Sequence, residues 1–435
     1  MKGTTVYLGI FFGLIVVSEA GNWDIYKNKI STTLELSPNE LKTLSPVVNV
    51  LSAERIPNGL VKATVIMDKS IAASRNGQRL FRRGNSGNSS SKWIETAKKI
   101  KQEQERLQNR KIFLPGMNYS EFDFNTFHNL TEIYSFLQVV TMTFPEKTNL
   151  LMIGQSFEAR KILALKIGNH STAKEKKSIL LHGAIHSREW ITTATMLKLI
   201  DELLNNPENT DLLDDIDFYI IPVLNPDGYE YTWSTDRYWR KSRHIDPETG
   251  LDGVDLNRNF PTFWAPATNV TGPSSEVFPG FEPMSEIEII SLDRFIESLG
   301  KNLISYWDIH SYFQVIMYPI AAKCHVRGKH FKEHLKASSI FIHGVKEKNG
   351  AEFKQGTTCD LLYPASGTSF DHFYLERKVI YSFTVELFPK FDDTTNEFVV
   401  ELDKIETATT DFISGFIPVA RYLQVKIHSG FFDHI

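Results

Sequence analysis

Short apolar runs bounded by polar residues recur along the second part of the chain, at 161–167, 179–182, 218–224, 303–309 and 379–387. Runs of this length suit strands buried on both faces. Between and after them, apolar residues at helical spacing occupy 191–204, 286–296 and 411–422. Strands alternating with helices predict an α/β domain whose mixed, mostly parallel central sheet carries helices on both faces. No internal repeat is visible.

The first part of the chain reads differently. A basic residue, Lys2, precedes an apolar stretch over 7–17 and the small-residue positions of Ser18-Glu19-Ala20, the pattern of a signal peptide cut near Gly21. The stretch is too short to span a bilayer. Residues 21–110 hold no cluster of chemistry-bearing side chains. They show one alternating run at 60–66, a Gly/Asn/Ser-rich loop at 84–91, and a Lys/Glu/Gln-rich helical pattern over 93–108.

With 435 residues the chain exceeds one ordinary domain, so two folded units are expected. Its 42% hydrophobic and 23% charged residues are those of a globular protein, and a net charge of -4 without one-signed tracts gives no reason to expect nucleic acid or a membrane as partner. Sequons at Asn88, Asn118, Asn129, Asn169 and Asn269 agree with an extracellular, secreted protein.

The candidate chemistry lies in three segments. His186 and Glu189 stand in LHGAIHSREW after an apolar run, His310 stands in LISYWDIHSY, and Glu386 lies in VIYSFTVEL. A divalent ion such as zinc takes imidazole nitrogen and carboxylate oxygen, and a catalytic site leaves a position for water. His-x-x-Glu offers two ligands within one turn and a histidine from another strand end adds the third. Ligands at strand ends agree with the rule that open α/β sheets bind beyond their carboxyl edges. His-x-x-Glu alone is common, so its context decides.

That context is DRYWRKSR around Arg240, GVDLNRNF around Asn257 and Arg258, and LLYPASGTSFD around Tyr363. In order and wording these segments, over about residues 115–435, resemble the zinc metallocarboxypeptidases of the pancreatic A and B type. The resemblance implies one Zn²⁺ on His186, Glu189 and His310, with Asp255 orienting His186, Glu386 as general base and Arg240 stabilising the oxyanion. It assigns the free C-terminus of a peptide or protein substrate to Asn257, Arg258 and Tyr363, and residues upstream of the cleaved bond to Arg188. It further implies that 1–20 is a signal peptide, 21–110 a small α/β propeptide with connecting helix, and 111–435 the catalytic domain. An activating protease would cut at Arg110-Lys111, with the basic residues of 79–83 as a second candidate.

Cys324 and Cys359 are the only cysteines. In some relatives of the A type the matching positions are bridged. Two free buried thiols are the alternative, against which an even count in a secreted chain weighs. Leu251 and Ser274 replace the cysteines of the family's more frequent disulfide, and after Glu386 the chain departs from the family pattern with Leu-Phe-Pro-Lys-Phe-Asp-Asp-Thr-Thr.

Specificity is read at Phe370, where basic-specific relatives carry aspartate and acid-specific ones arginine. An apolar residue there, with Thr368 and Met317 alongside, favours apolar C-terminal residues. Asp308, two residues before His310, points the other way, since an inward ionised carboxylate would take Lys or Arg termini. A non-catalytic secreted binding protein of the same fold is the reading from another class, and the intact set of His186, Glu189, His310, Arg240 and Glu386 weighs against it.

Overall fold

The computed structural model describes residues 29–36, 49–55, 61–68, 101–103, 105–107, 109–171, 175–245, 253–266, 272–273, 275–390 and 398–434. The signal-peptide reading, the basic cluster at 79–83, the loop at 84–91, Leu251, Ser274, Asn88 and Asn269 lie outside them.

Strands β1 (Lys29–Leu36), β2 (Asn49–Arg55) and β3 (Val61–Asp68) form an antiparallel sheet in the order β1-β3-β2. β3 takes up the alternating run expected at 60–66. β1 and β2 lie outside the runs expected from the sequence.

Eight further strands form the main sheet: β4 (Thr148–Gln155), β5 (Lys161–Ile167), β6 (Lys177–His182), β7 (Ile216–Ile221), β8 (Leu303–Phe313), β9 (Val315–Met317), β10 (Lys354–Gly356) and β11 (Tyr381–Lys390). Their order is β10-β9-β11-β8-β6-β7-β5-β4. The central pairs β11/β8, β8/β6 and β6/β7 are parallel, while β5/β7 and β4/β5 are antiparallel. This is the mixed α/β sheet expected from the apolar runs.

Side chains alternate across a strand, and here both faces are apolar. On β6, Ile179 and Leu181 join one buried cluster and Leu180 the other. The first cluster is completed by helices α1 (Leu130–Thr143), α2 (Trp190–Asn205), α5 (Phe331–Asn349) and α7 (Ile405–His428), the second by α4 (Ile287–Leu299) and α6 (Ser369–Leu375). α3 (Pro226–Ser234) begins at an Asn225 cap, whose side chain accepts from the Gly228 N–H.

Helix α7 runs well beyond the expected 411–422 even though it contains Pro418. Proline cannot donate to the carbonyl four residues earlier, here Ser414. Gly344 of α5 packs there so closely that a Cβ would lie 2.2 Å from that oxygen. Neighbouring packing thus carries the helix past a residue that would end it in isolation.

Candidate metal centre and active site

β6 ends at His182, and the turn that follows carries His186 and Glu189 into the entrance of α2. Gly183 lets the turn approach α2 closely, since a Cβ would meet the Thr192 main chain and hydroxyl at 3.0 Å. Glu189 precedes the first helical residue, but its side chain makes no capping bond. The Thr192 hydroxyl instead donates to the Glu189 carbonyl and accepts from the Ala184 N–H. Glu189 is left to face two imidazoles.

His186 Nδ1 lies 3.0 Å from Glu189 Oε1, and His310 Nδ1 lies 3.1 Å from Glu189 Oε2. One ligand atom from each of the three buried residues falls within 4.8 Å of the others. Burial alone would push the Glu189 carboxyl up, but the two histidines hold it down at about 2. The set offers two imidazole nitrogens and one carboxylate converging on one point, with no fourth protein donor among the described residues, which is the donor chemistry of a catalytic zinc site.

Asp255 lies 3.0 Å from His186 Nε2 through Oδ1, while Oδ2 accepts from Arg240 Nη2 at 2.9 Å and Nε at 3.2 Å. Burial disfavours the charge on Asp255, and Arg240 with His186 more than offsets it, holding the carboxyl well below its usual range. Arg240 Nη1 stands 3.9 Å from Glu189 Oε1, so the guanidinium borders the ligand cluster. Burial opposes its charge, yet Asp255 and Glu189 raise its pKa.

Glu386 on β11 pairs in register with His310 on β8. Unlike the ligands it keeps an opening to solvent. Burial of its surroundings pushes the carboxyl up, with His310 opposing the rise and Glu189 adding to it.

Arg258 donates through Nη2 to the Tyr363 hydroxyl at 3.0 Å and through Nη1 to the Asn257 carbonyl at 2.7 Å. The loop bearing Tyr363 is tied down at Gly367, whose φ of +65° suits glycine and where a Cβ would sit 2.2 Å from the Arg258 carbonyl. Asn257 donates from Nδ2 to Asp308 at 2.8 Å, and its Oδ1 accepts from the Ser369 N–H at 2.9 Å. Arg188 is buried, pairs with Glu276 at 2.9 Å and stacks on Phe398. Phe370, Thr368 and Met317 are all buried, Phe370 in the cluster with Tyr306 and Phe373, Met317 against Leu362. Cys324 and Cys359 form a disulfide.

Asp308 departs from the expectation of an open carboxylate for a basic terminus. It is fully buried, and its Oδ2 accepts from Asn257 Nδ2 at 2.8 Å and from the Ser369 hydroxyl at 2.6 Å. That oxygen is engaged by the protein's own donors, not by a substrate cation. Its other neighbours, His182 and Tyr306, were not singled out in the sequence, although strand residues two apart share a face.

Residues 133–415 match the family model described as zinc carboxypeptidase. The chain is 31% identical over 331 residues to carboxypeptidase O of Bos taurus, covering 75% of this chain and 86% of that protein. The chain belongs to the zinc carboxypeptidase family. Against the zinc carboxypeptidase of Simulium vittatum it is 32% identical over 310 residues, 71% of this chain and 99% of the other. The solved carboxypeptidase A of Helicoverpa armigera superposes with a TM-score of 0.77 at 25% identity, covering 91% of this chain and 98% of that one. As a metallocarboxypeptidase the chain uses zinc, and His186, Glu189 and His310 are the residues that would hold it.

Proposed function

We propose that this carboxypeptidase is a secreted exopeptidase, made as a zymogen, that removes apolar C-terminal residues from peptides and proteins. The observation that carries the exopeptidase reading is the Arg258–Tyr363 pair, in which Arg258 is next in sequence to Asn257, whose side chain lies 3.0 Å from His310. A guanidinium suits a terminal carboxylate through paired donors, and the tyrosine hydroxyl now resting on it is an exchangeable partner. One N–H of Asn257 is committed to Asp308. Arg258 and Tyr363 therefore take the larger share in holding the terminus.

Bound zinc supplies Lewis acidity and a water of lowered pKa. Glu386 accepts the proton of the attacking water and returns it to the leaving nitrogen. Arg240, fixed by Asp255 through two N–H bonds, offers a preorganised cation to the oxygen that gains charge. Arg188 orients substrate upstream of the scissile bond after leaving Glu276.

Apolar specificity is supported by the buried Phe370 and Met317, and the engagement of Asp308 by Asn257 and Ser369 takes support from the basic alternative. Zymogen status rests on the segment before residue 111. Glu103 and Leu107 of that segment are buried against the catalytic body, and Arg110 pairs with the buried Glu132. A cut after Arg110 thus requires that pair to open first.

Hydrolysis of a panel of blocked dipeptides by the full chain, before and after limited trypsin treatment, tests the proposal. Leu, Met and Phe termini should be released fastest, and only after cleavage. Preference for Lys or Arg, or full activity of the uncut chain, overturns the corresponding part.

A further inference from the structure

From the reading of His186, Glu189 and His310 as zinc ligands we infer that Asp308 is a positioning residue for the metal. It would act on His310 as Asp255 acts on His186, so that both histidine ligands carry a buried carboxylate on the nitrogen turned away from the ion.

Asp308 and His310 lie two apart on β8, so their side chains leave the sheet on the same face. Asp308 Oδ1 stands 2.8 Å from His310 Nε2, while His310 Nδ1 faces Glu189 at 3.1 Å. Asn257 Nδ2, which donates to Asp308 Oδ2, also lies 3.0 Å from His310 Nε2; a proton on Nε2 turned to the Asp308 carboxylate leaves the Nδ1 lone pair for the metal. The carboxylate also locks the ring's rotation and raises its basicity. The distances match those on the other ligand, where His186 Nε2 lies 3.0 Å from Asp255 and Nδ1 lies 3.0 Å from Glu189; there the carboxylate is hydrogen-bonded, whereas Asp308 Oδ1 and His310 meet as an ion-pair contact.

Asp308 is itself held by what surrounds it. Ser369 and Asn257 donate to Oδ2, and Asn257 is anchored in turn by the Ser369 N–H. His182, in register with Asp308 on the neighbouring strand, places Nε2 at 3.5 Å from Oδ1 and 2.5 Å from the Tyr306 hydroxyl. The neighbours on Oδ2 are donors, so an asparagine at 308 would turn an N–H either toward them or toward His310. Neither orientation reproduces the carboxylate. Truncation to serine leaves His310 Nε2 with no acceptor of this reach.

The test measures zinc affinity of the full chain by competition with a chromogenic chelator, for wild type, Asp308→Asn and Asp308→Ser. Partners of this kind are worth about 10–100-fold in metal affinity or activity, so both variants should lose zinc affinity by that factor. The visible spectrum of the cobalt-substituted protein should shift, which a general loss of stability would not cause in protein that remains folded. Should the variants fail to fold, nitrogen-15 histidine spectra of zinc-loaded wild type give an independent readout. They should show both ligand histidines metal-bound at Nδ1 and protonated at Nε2, with slow exchange. Variants with unchanged affinity and cobalt spectrum overturn the inference, as does a His310 bound through Nε2. Wild type that binds no zinc would instead overturn the assignment of the ligands.

Discussion

The carboxylate of Glu132 is the hub at the start of the catalytic body, and replacing it with glutamine should cost about 3 kcal/mol of stability at neutral pH. It is fully buried at the head of α1. It accepts the Phe113 N–H at 2.9 Å and the Asn129 N–H at 3.1 Å, pairs with both terminal nitrogens of Arg110, and lies 3.4 Å from His128 Nδ1. Burial alone would push its carboxyl up. His128 and Arg110 reverse that and bring it from 4.5 to about 2. The drop of roughly 2.5 pH units, at 1.36 kcal/mol each, gives about 3 kcal/mol. Losing one partner of a buried pair falls in the same range, ~3–5 kcal/mol. Because the folded pKa is depressed, the contribution is present above the unfolded value near 4.5 and is lost as pH falls through about 2. Urea unfolding of the uncut wild type and Glu132→Gln should therefore show a gap of about 3 kcal/mol at pH 7 that narrows below pH 4.5. A gap under ~1 kcal/mol at pH 7, or one that does not change with pH, would refute the reasoning.

Chelation should abolish activity and added zinc restore it, as three protein ligands without a fourth describe an open catalytic site; full turnover by thoroughly metal-free protein would contradict this. Glu386→Gln should keep its zinc while losing turnover by at least about 100-fold, since the amide keeps the shape but takes no proton, and metal content and rate measured on one sample check it. Phe370→Asp should move preference toward Lys and Arg termini by about 1–3 kcal/mol in the ratio of kcat/KM values. Gly367→Ala should weaken binding of the terminal carboxylate, seen as a raised KM, because its methyl group meets the Arg258 carbonyl.

The motif segments and the apolar runs were legible because each has a local cause. Runs such as 179–182 have no polar face, and the ligand spacing follows from a single turn. Helix α1 is marked at its start by the capping box of Asn129 and Glu132. Asn129 is also the first residue of a sequon, and one signal on a residue masks another. The surroundings of Asp308 were not legible for a different reason. Its fate depends on Ser369 and Asn257, which approach from other elements. No one-dimensional pattern lists the donors that a buried carboxylate will meet, whereas its place on the same strand face as His310 was open to reading.

Arg237 donates to Glu103 at 3.0 Å, to the Arg188 carbonyl at 2.7 Å and to the Phe398 carbonyl at 2.8 Å, and its guanidinium lies 3.7 Å above the Trp190 ring. Three stretches distant in sequence thus share one buried cation, and Glu103 supplies its countercharge. Thermodynamic linkage makes that sharing reciprocal. Any coupling that Arg237 carries from Arg188 and Phe398 to residue 103 acts by the same factor in the other direction.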